Sequence, residues 1–213
     1  MPHIPSNKSS AEEVARQLLQ IKAIKLSPQK PFLWASGIES PIYCDNRLVL
    51  SHPSVRKFIK SALVEEAKGF GPFDVVAGVA TAGIAHGVLL ADALDKPFVY
   101  VRSKAKAHGR QNQIEGELSA DARVLVVEDL VSTGGSSLQA VEALRQAGAT
   151  VLGVLAIFSY GLPEAHRAFE AAKCPLKTLT DYPTLIAIAH TTRHIDPEDL
   201  TRLNAWRESL EIG

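Results

Sequence analysis

From Phe73 onward, continuous apolar runs alternate with segments of helical period. FDVVAGVA, KPFVYV, RVLVVED and TVLGVLAIF show no polar alternation, the pattern of strands covered on both faces. Between them, AGIAHGVLLADAL and SSLQAVEALRQAG read as helices. In the second, Leu138, Val141 and Leu144 share one side and Gly148 marks the stop. Strand, helix, strand in repetition predicts a parallel sheet with right-handed crossovers. Upstream, Ser10 and Glu13 have the spacing of a capping box, and Val14, Leu18, Ile21 and Ile24 or Lys25 continue at helical spacing, predicting a helix at about 11 to 25. Residues 31 to 50 mix aromatics, β-branched residues, prolines and a Ser-Gly, which predicts a small irregular sheet or hairpin. Pro53 suits the first turn of a helix running to about Lys68 and closed by Gly69. The stretch from Thr192 to Gly213 predicts a terminal helix after a turn at Pro197, an edge cover or subunit contact rather than a place for chemistry.

One stretch breaks the alternation. Residues 103 to 118, SKAKAHGRQNQIEGEL, are polar, weakly periodic and too long for an ordinary connection. A loop of that length inside a compact unit is often functional. Arg102 stands just before it, Lys104, Lys106, His108 and Arg110 follow within it, and there is no acid until Glu115, although the chain as a whole balances 23 basic against 23 acidic residues. That local excess suits a polyanion such as pyrophosphate, whereas the overall balance offers no attraction to nucleic acid or an anionic membrane.

The 213 residues suffice for one large domain with a sizeable core, and 46% hydrophobic with 22% charged residues excludes disordered and fibrous classes. Cys44 and Cys174 are too few for a disulfide framework or a zinc site, as expected in a reducing cytosol. The N-terminus lacks the apolar core of a signal peptide, and no apolar run approaches a membrane span, so a soluble cytoplasmic protein is expected. His52, His86, His166, His190 and His194 lack metal-ligand spacing and read as surface or core residues.

The chemistry concentrates in VLVVEDLVSTGGSS, residues 124 to 137. In an open parallel sheet, ligands bind beyond the carboxyl ends of the strands. A buried strand that ends in Glu128 and Asp129 therefore presents two carboxylates there, and Ser132, Thr133, Gly134, Gly135 and Ser136 follow before a helix begins. Backbone N–H groups of a glycine turn, hydroxyls and a helix N-terminus make a phosphate cradle. The implied ligand has a phosphate for the loop and hydroxyls for the acids, as a ribose phosphate has. Walker and dinucleotide patterns are both absent.

Four apolar residues, two acids, two variable residues and a Ser/Thr/Gly loop resemble the 5-phosphoribosyl-1-pyrophosphate (PRPP) signature of type I phosphoribosyltransferases. Three more motifs narrow the resemblance to the orotate phosphoribosyltransferase family. They are Arg-x-x-x-Lys-x-His-Gly from Arg102 to Gly109, SGIESPIYCDNR at 36 to 47, and VVAGVATAGIAHG with its turn Thr81-Ala82-Gly83. The four stand in consistent order over roughly residues 10 to 160. The resemblance implies an α/β fold, a type I phosphoribosyltransferase-like central parallel sheet flanked by helices, in a single domain over 1–213 whose first 50 or so residues form a small N-terminal hood.

The same resemblance implies transfer of ribose 5-phosphate from PRPP to orotate, giving orotidine 5-monophosphate and pyrophosphate on the way to UMP, with Mg2+ as cofactor. It puts the ribose hydroxyls on Glu128 and Asp129, the 5-phosphate on Ser132 to Ser136, and the pyrophosphate on Arg102, Lys104, Lys106, His108 and the Thr81–Ala82 backbone. Arg102, Lys106, His108 and Asp129 are the expected catalytic set, with His108 a proton donor or only a hydrogen-bond donor. No protein side chain is assigned to the metal. The family's homodimer, in which the loop of one subunit closes over the partner's site, is implied too. Ser132 reaches the base in the family. FSYGLP lacks the Arg that assists orotate there, so Arg47 is the nearest unassigned cation, for orotate or for a structural salt bridge. Trp34 and Tyr43 either flank the base or pack the small sheet. A salvage phosphoribosyltransferase would share the signature without the loop motif and SGIESPIYCDNR, and a PRPP-sensing regulator would add a nucleic-acid-binding segment.

Overall fold

The computed structural model describes residues 8–33, 39–103 and 113–210. Helix α1 (Lys8–Gln20) buries Ala11, Val14, Ala15, Leu18 and Leu19 on one face. It ends sooner than its apolar period predicts: Lys22 takes a left-handed φ of 58°, and Ile24 starts strand β1 (Ile24–Leu26) instead of a last helical turn. The reversal lets Ile24 bury in a sheet. Ser10 lies within the helix, and Glu13 accepts hydrogen bonds from Arg16 and Gln17, so the expected capping box gives way to pairs along the helix surface. Strands β2 (Phe32–Leu33) and β3 (Glu39–Ser40) pair antiparallel, as do β1 and β4 (Ile42–Cys44), which bears out the irregular N-terminal sheet.

Beyond β4 the chain winds into a 3-10 turn, Asn46–Ser51, rather than another strand, with the Asp45 carboxylate accepting from the Arg47 N–H. Helix α2 (Pro53–Ala67) opens on its proline as expected. It closes through a 3-10 turn at Lys68–Phe70, and the chain reverses at Gly71, with φ 76°, two residues beyond the expected Gly69.

The remaining strands form one six-stranded sheet. They are β5 (Val75–Val79), β6 (Phe98–Val101), β7 (Ile114–Glu115), β8 (Arg123–Val131), β9 (Thr150–Ser159) and β10 (Leu176–Asp181), in the spatial order β10-β9-β8-β5-β6-β7. All neighbours run parallel except β7, which returns antiparallel along β6. The polar stretch read as one long loop therefore ends as an edge strand. Helices α3 (Ala82–Leu94), α4 (Gly135–Gln146), α5 (Pro163–Ala171), α6 (Tyr182–Thr191) and α7 (Pro197–Ser209) complete the fold. Pro197 stands in the first turn of α7, capped by Asp196, rather than in a turn before it.

Two apolar clusters sandwich the sheet, as its uninterrupted strands require. One joins α1, α2, α3, α6 and α7 to Val76, Leu125, Val127, Leu155 and Ile157. The other joins α4 and α5 to Val75, Ala77, Val124, Val126 and Val154. From β5 the chain crosses by α3 to β6 on one side, while β8 lies on the other side of β5 and leads by α4 to β9. Strand order thus reverses between β5 and β8. Crossovers diverging to opposite faces leave a crevice at the carboxyl ends of those two strands, where ligands bind in folds of this type.

Candidate active site

Strand β8 outruns its neighbour. Its pairing with β5 stops at Val127, opposite Gly78, whereas its pairing with β9 continues to Val131. Glu128 and Asp129 therefore sit on the strand, three and two residues before its end, and not where strand becomes loop as the sequence suggests. Backbone groups beyond the last β5 pair need other partners. At Asp129 the N–H donates to Glu128 Oε1 at 3.1 Å, and the carbonyl accepts from Asn46 Nδ2 at 2.7 Å. Glu128 is buried, and its Oε2 accepts from the Ser137 hydroxyl at 3.2 Å. Burial pushes the Glu128 carboxyl above the usual range, and the charge of Asp129 pushes it further. Burial raises Asp129 as well. Two adjacent acids held out of water resist carrying two charges without a polar partner.

Helix α3 starts against this pair. A Cβ on Gly83 would stand 2.5 Å from the Val127 carbonyl and 3.3 Å from Glu128 Oε1, so only glycine lets the first turn of α3 approach β8 so closely. Thr81 precedes that turn without a side-chain cap. Arg102 follows β6 on the same edge: the Ala80 N–H donates to the Val101 carbonyl at 2.8 Å, and the Arg102 guanidinium lies 3.5 Å from Glu115 of β7.

On the other side of β8, Ser132 to Gly134 lead into α4. Gly134 has φ 88°, a left-handed conformation, and its hydrogen faces the Phe169 ring. Thr133, Gly135 and Ser136 are exposed, and no side chain caps α4. Its first N–H groups therefore present the positive end of a twelve-residue helix to solvent beside the acids, an anion site.

The N-terminal segment meets β8 through Asn46. The Arg47 guanidinium forms two hydrogen bonds with Asp45, at 2.7 and 3.0 Å, and lies near enough to Asp129 to help hold its carboxyl down against burial. Of the two possibilities for Arg47, the structure shows the salt bridge, made with Asp45 on the rim of the site. Cys44 and Tyr160 lie near Asp129, and Tyr43 near Tyr160 and Arg47. Burial raises the Cys44 thiol and the Tyr160 hydroxyl, and the charge of Asp129 adds to both. Tyr43 packs against Phe32 with ring centroids 5.8 Å apart. From α3, His86 is buried with no hydrogen-bond partner on either ring nitrogen among the described residues, and the Asn46 backbone is the polar group it faces. Burial lowers its pKa to about 4.

The crevice accordingly gathers Glu128, Asp129, Ser132, Thr133, Gly134, Gly135, Ser136, Thr81, Ala82, Arg102 and Arg47 at one edge of the sheet. Lys104, Lys106 and His108, with Trp34, lie outside the described residues. Among the described residues there is no group of three or more His, Cys, Asp or Glu able to hold a metal ion, and no helix long and apolar enough to cross a membrane.

Comparison with known proteins places the geometry in a family. The model of the phosphoribosyl transferase domain matches residues 49–181, from the 3-10 turn after β4 to the end of β10. The orotate phosphoribosyltransferase of Listeria innocua is 55% identical over 205 residues, 96% of this chain and 98% of its own length. The chain belongs to the orotate phosphoribosyltransferase family. The orotate phosphoribosyltransferase of Bacteroides fragilis is 54% identical over 195 residues, 91% of this chain and 92% of its own. The crystal structure of orotate phosphoribosyltransferase from Aeropyrum pernix matches 86% of this chain and 99% of that one, with a TM-score of 0.74 at 29% identity.

Three residues of this orotate phosphoribosyltransferase family site escaped sequence reasoning. Asn46 falls inside SGIESPIYCDNR, but nothing in its spacing identifies a bond to residue 129. His86 reads as one of several scattered histidines, and only burial sets it apart. Tyr160 stands in FSYGLP, where attention falls on a missing Arg rather than on the ring that occupies the place.

Proposed function

We infer that the chain catalyses transfer of the 5-phosphoribosyl group of PRPP to N1 of orotate, releasing pyrophosphate, in the cytoplasmic synthesis of UMP. The observation that carries the reading is the acid pair on the β8 overhang, Glu128 buried and Asp129 half-buried, beside an uncapped helix N-terminus, in a chain alike over nearly its full length to orotate phosphoribosyltransferases. Residues 1–213 are read as one domain, with about 1–50 as a hood over the base.

In this reading Glu128 and Asp129 accept from the ribose hydroxyls, and Ser132 to Ser136 bind the 5-phosphate through N–H groups and hydroxyls. Hydrogen bonds from the ribose replace the water the pair has lost, and favour its charged form. Breaking the bond from C1 to the pyrophosphate oxygen builds positive charge on the ribose, which the adjacent carboxylates stabilise. The departing pyrophosphate meets the Thr81–Ala82 backbone, Arg102, and the loop residues Lys104 and Lys106, with His108 as a hydrogen-bond donor. Ser132, with Arg47 a weaker candidate, orients orotate, and the hood and loop exclude water that would hydrolyse the activated ribose.

The donor set fits a magnesium ion that arrives on its substrate, because Mg2+ prefers phosphate oxygens and water with few protein ligands. Bound to PRPP, it supplies neutralisation of the leaving group. The loop is proposed to act across a homodimer, each copy covering its partner's crevice.

Loss of orotate absorbance on incubation with PRPP and Mg2+, with adenine, guanine and uracil in parallel, tests the assignment. Turnover that requires both PRPP and Mg2+ is expected for orotate alone. Reaction of another base in its place would overturn the substrate, and PRPP binding without any turnover would overturn the enzyme.

A further inference from the structure

Resting on that reading, we propose that Asn46 is a positioning residue for the transfer: it fixes the Asp129 peptide, and with it the acid pair, to the segment that covers the base. Asn46 is fully buried at the start of the 3-10 turn, and its Nδ2 donates to the Asp129 carbonyl, 83 residues away, at 2.7 Å. The bond falls where β8 has left β5 behind. At this position β5 no longer pairs with β8, and the Asn46 side chain supplies a donor to the part-buried Asp129 carbonyl, a hydrogen bond that is lost when the donor is removed. Glu128 already takes the N–H of the same residue, so Asn46 completes the pinning of both Asp129 peptide groups.

Asn46 is itself held from two directions. Asp45 caps the turn through the Arg47 N–H at 3.2 Å, and His86 faces the Asn46 backbone from α3. Strand β4, with Tyr43 and Cys44, ends immediately upstream. One residue thus sets the separation between the acids on β8 and the segment proposed to cover the base. Transfer between two bound substrates tolerates little error in that separation.

Two variants divide positioning from packing. Asn46→Leu approximates the volume and removes the donor. Asn46→Asp preserves the shape and donates only when protonated. Its carboxyl would be buried with Glu128, Asp129 and Asp45, the other charged or titratable neighbours being Arg47, Cys44, His86 and Tyr160, so it should hold its proton to higher pH than an exposed acid. Melting temperature, equilibrium binding of PRPP with Mg2+, and kcat and KM for both substrates are measured against wild type over a range of pH. Both variants are expected to lose roughly ten- to a hundredfold in PRPP affinity and in kcat/KM while remaining folded. The ratio of Asn46→Asp to wild type should climb as pH is lowered, whereas that of Asn46→Leu stays flat. Binding and kcat/KM within about twofold of wild type in both variants would overturn the proposal. So would losses that track melting temperature alone, with the same flat pH ratio in both. A wild-type chain that binds PRPP without consuming orotate would sink the substrate assignment, and the PRPP-binding arm would still decide the role of Asn46.

Discussion

His86 shows how a single side chain can record the state of the whole site. Folded, it is buried and neutral, with its pKa lowered from 6.5 to about 4 by desolvation. Between those values the unfolded chain binds a proton that the folded chain refuses, so stability is present above pH 6.5 and falls as pH drops toward 4. The loss from this residue should be on the order of 3 kcal/mol. Chemical denaturation of wild type and His86→Leu across that window should give curves that diverge with acid in wild type and lack this component in the variant. Parallel curves would mean that His86 takes up its proton without cost. At this scale the acids and glycines of residues 124 to 137 were legible because phosphate and ribose chemistry requires them together in one short stretch. Asn46 and His86 were not, because their significance lies in what they meet far along the chain, and composition carries no trace of such a meeting.

Among the elements, the start of α4 joins conformation to chemistry. Gly134 and Gly135 are neighbours with different duties. A Cβ on Gly134 would meet the Phe169 ring at 2.7 Å at a positive φ, whereas one on Gly135 would meet only Thr133 Oγ1 at 4.0 Å. Gly134→Ala should therefore destabilise the fold by about 1–3 kcal/mol. Gly135→Ala should leave the melting temperature unchanged or slightly higher, yet raise KM for PRPP by roughly tenfold or more, because the methyl group occupies the approach of the phosphate. An unaltered KM in a folded Gly135→Ala protein would remove the phosphate from this loop. The four apolar strands were readable because burial on both faces forbids polar positions. Strand β10 was not: it lies at the edge, carries Lys177, Thr178 and Thr180, and shows the mixed pattern of a connection. The end of α1 was misplaced because Ile24 continues the helical period, and the chain turns away only through the backbone of Lys22.

For the molecule as a whole, the fold class followed from strand and helix in alternation, but the strand order did not. Which strand lies beside which is decided by long-range pairing, and the reversal between β5 and β8 that opens the crevice leaves no local mark on the chain. The assembly proposed above has its own test. If Lys106 acts in the partner's site, Lys106→Ala and Asp129→Asn proteins, each inactive alone, should regain about a quarter of wild-type activity after equal amounts are mixed and allowed to exchange subunits, since half the dimers are mixed and each has one intact site. Mixed dimers demonstrated by mass but devoid of activity would place loop and acids of each site in the same chain.

Because β8 extends past β5 as a ledge, the hydrogen bonds that hold the Asp129 peptide groups among the described residues come from side chains, those of Asn46 and Glu128. A backbone ladder cannot be altered without refolding the strand, but side chains can be exchanged one position at a time. The segment proposed to cover the ledge comes from residues upstream of 49–181, the part that matches the shared domain, and meets β8 through Asn46. Such a seam behaves as a joint between a common platform and an exchangeable fitting. If the fitting covers the base as proposed, selection, or a protein engineer, can recut it for a different base and leave the platform as it stands.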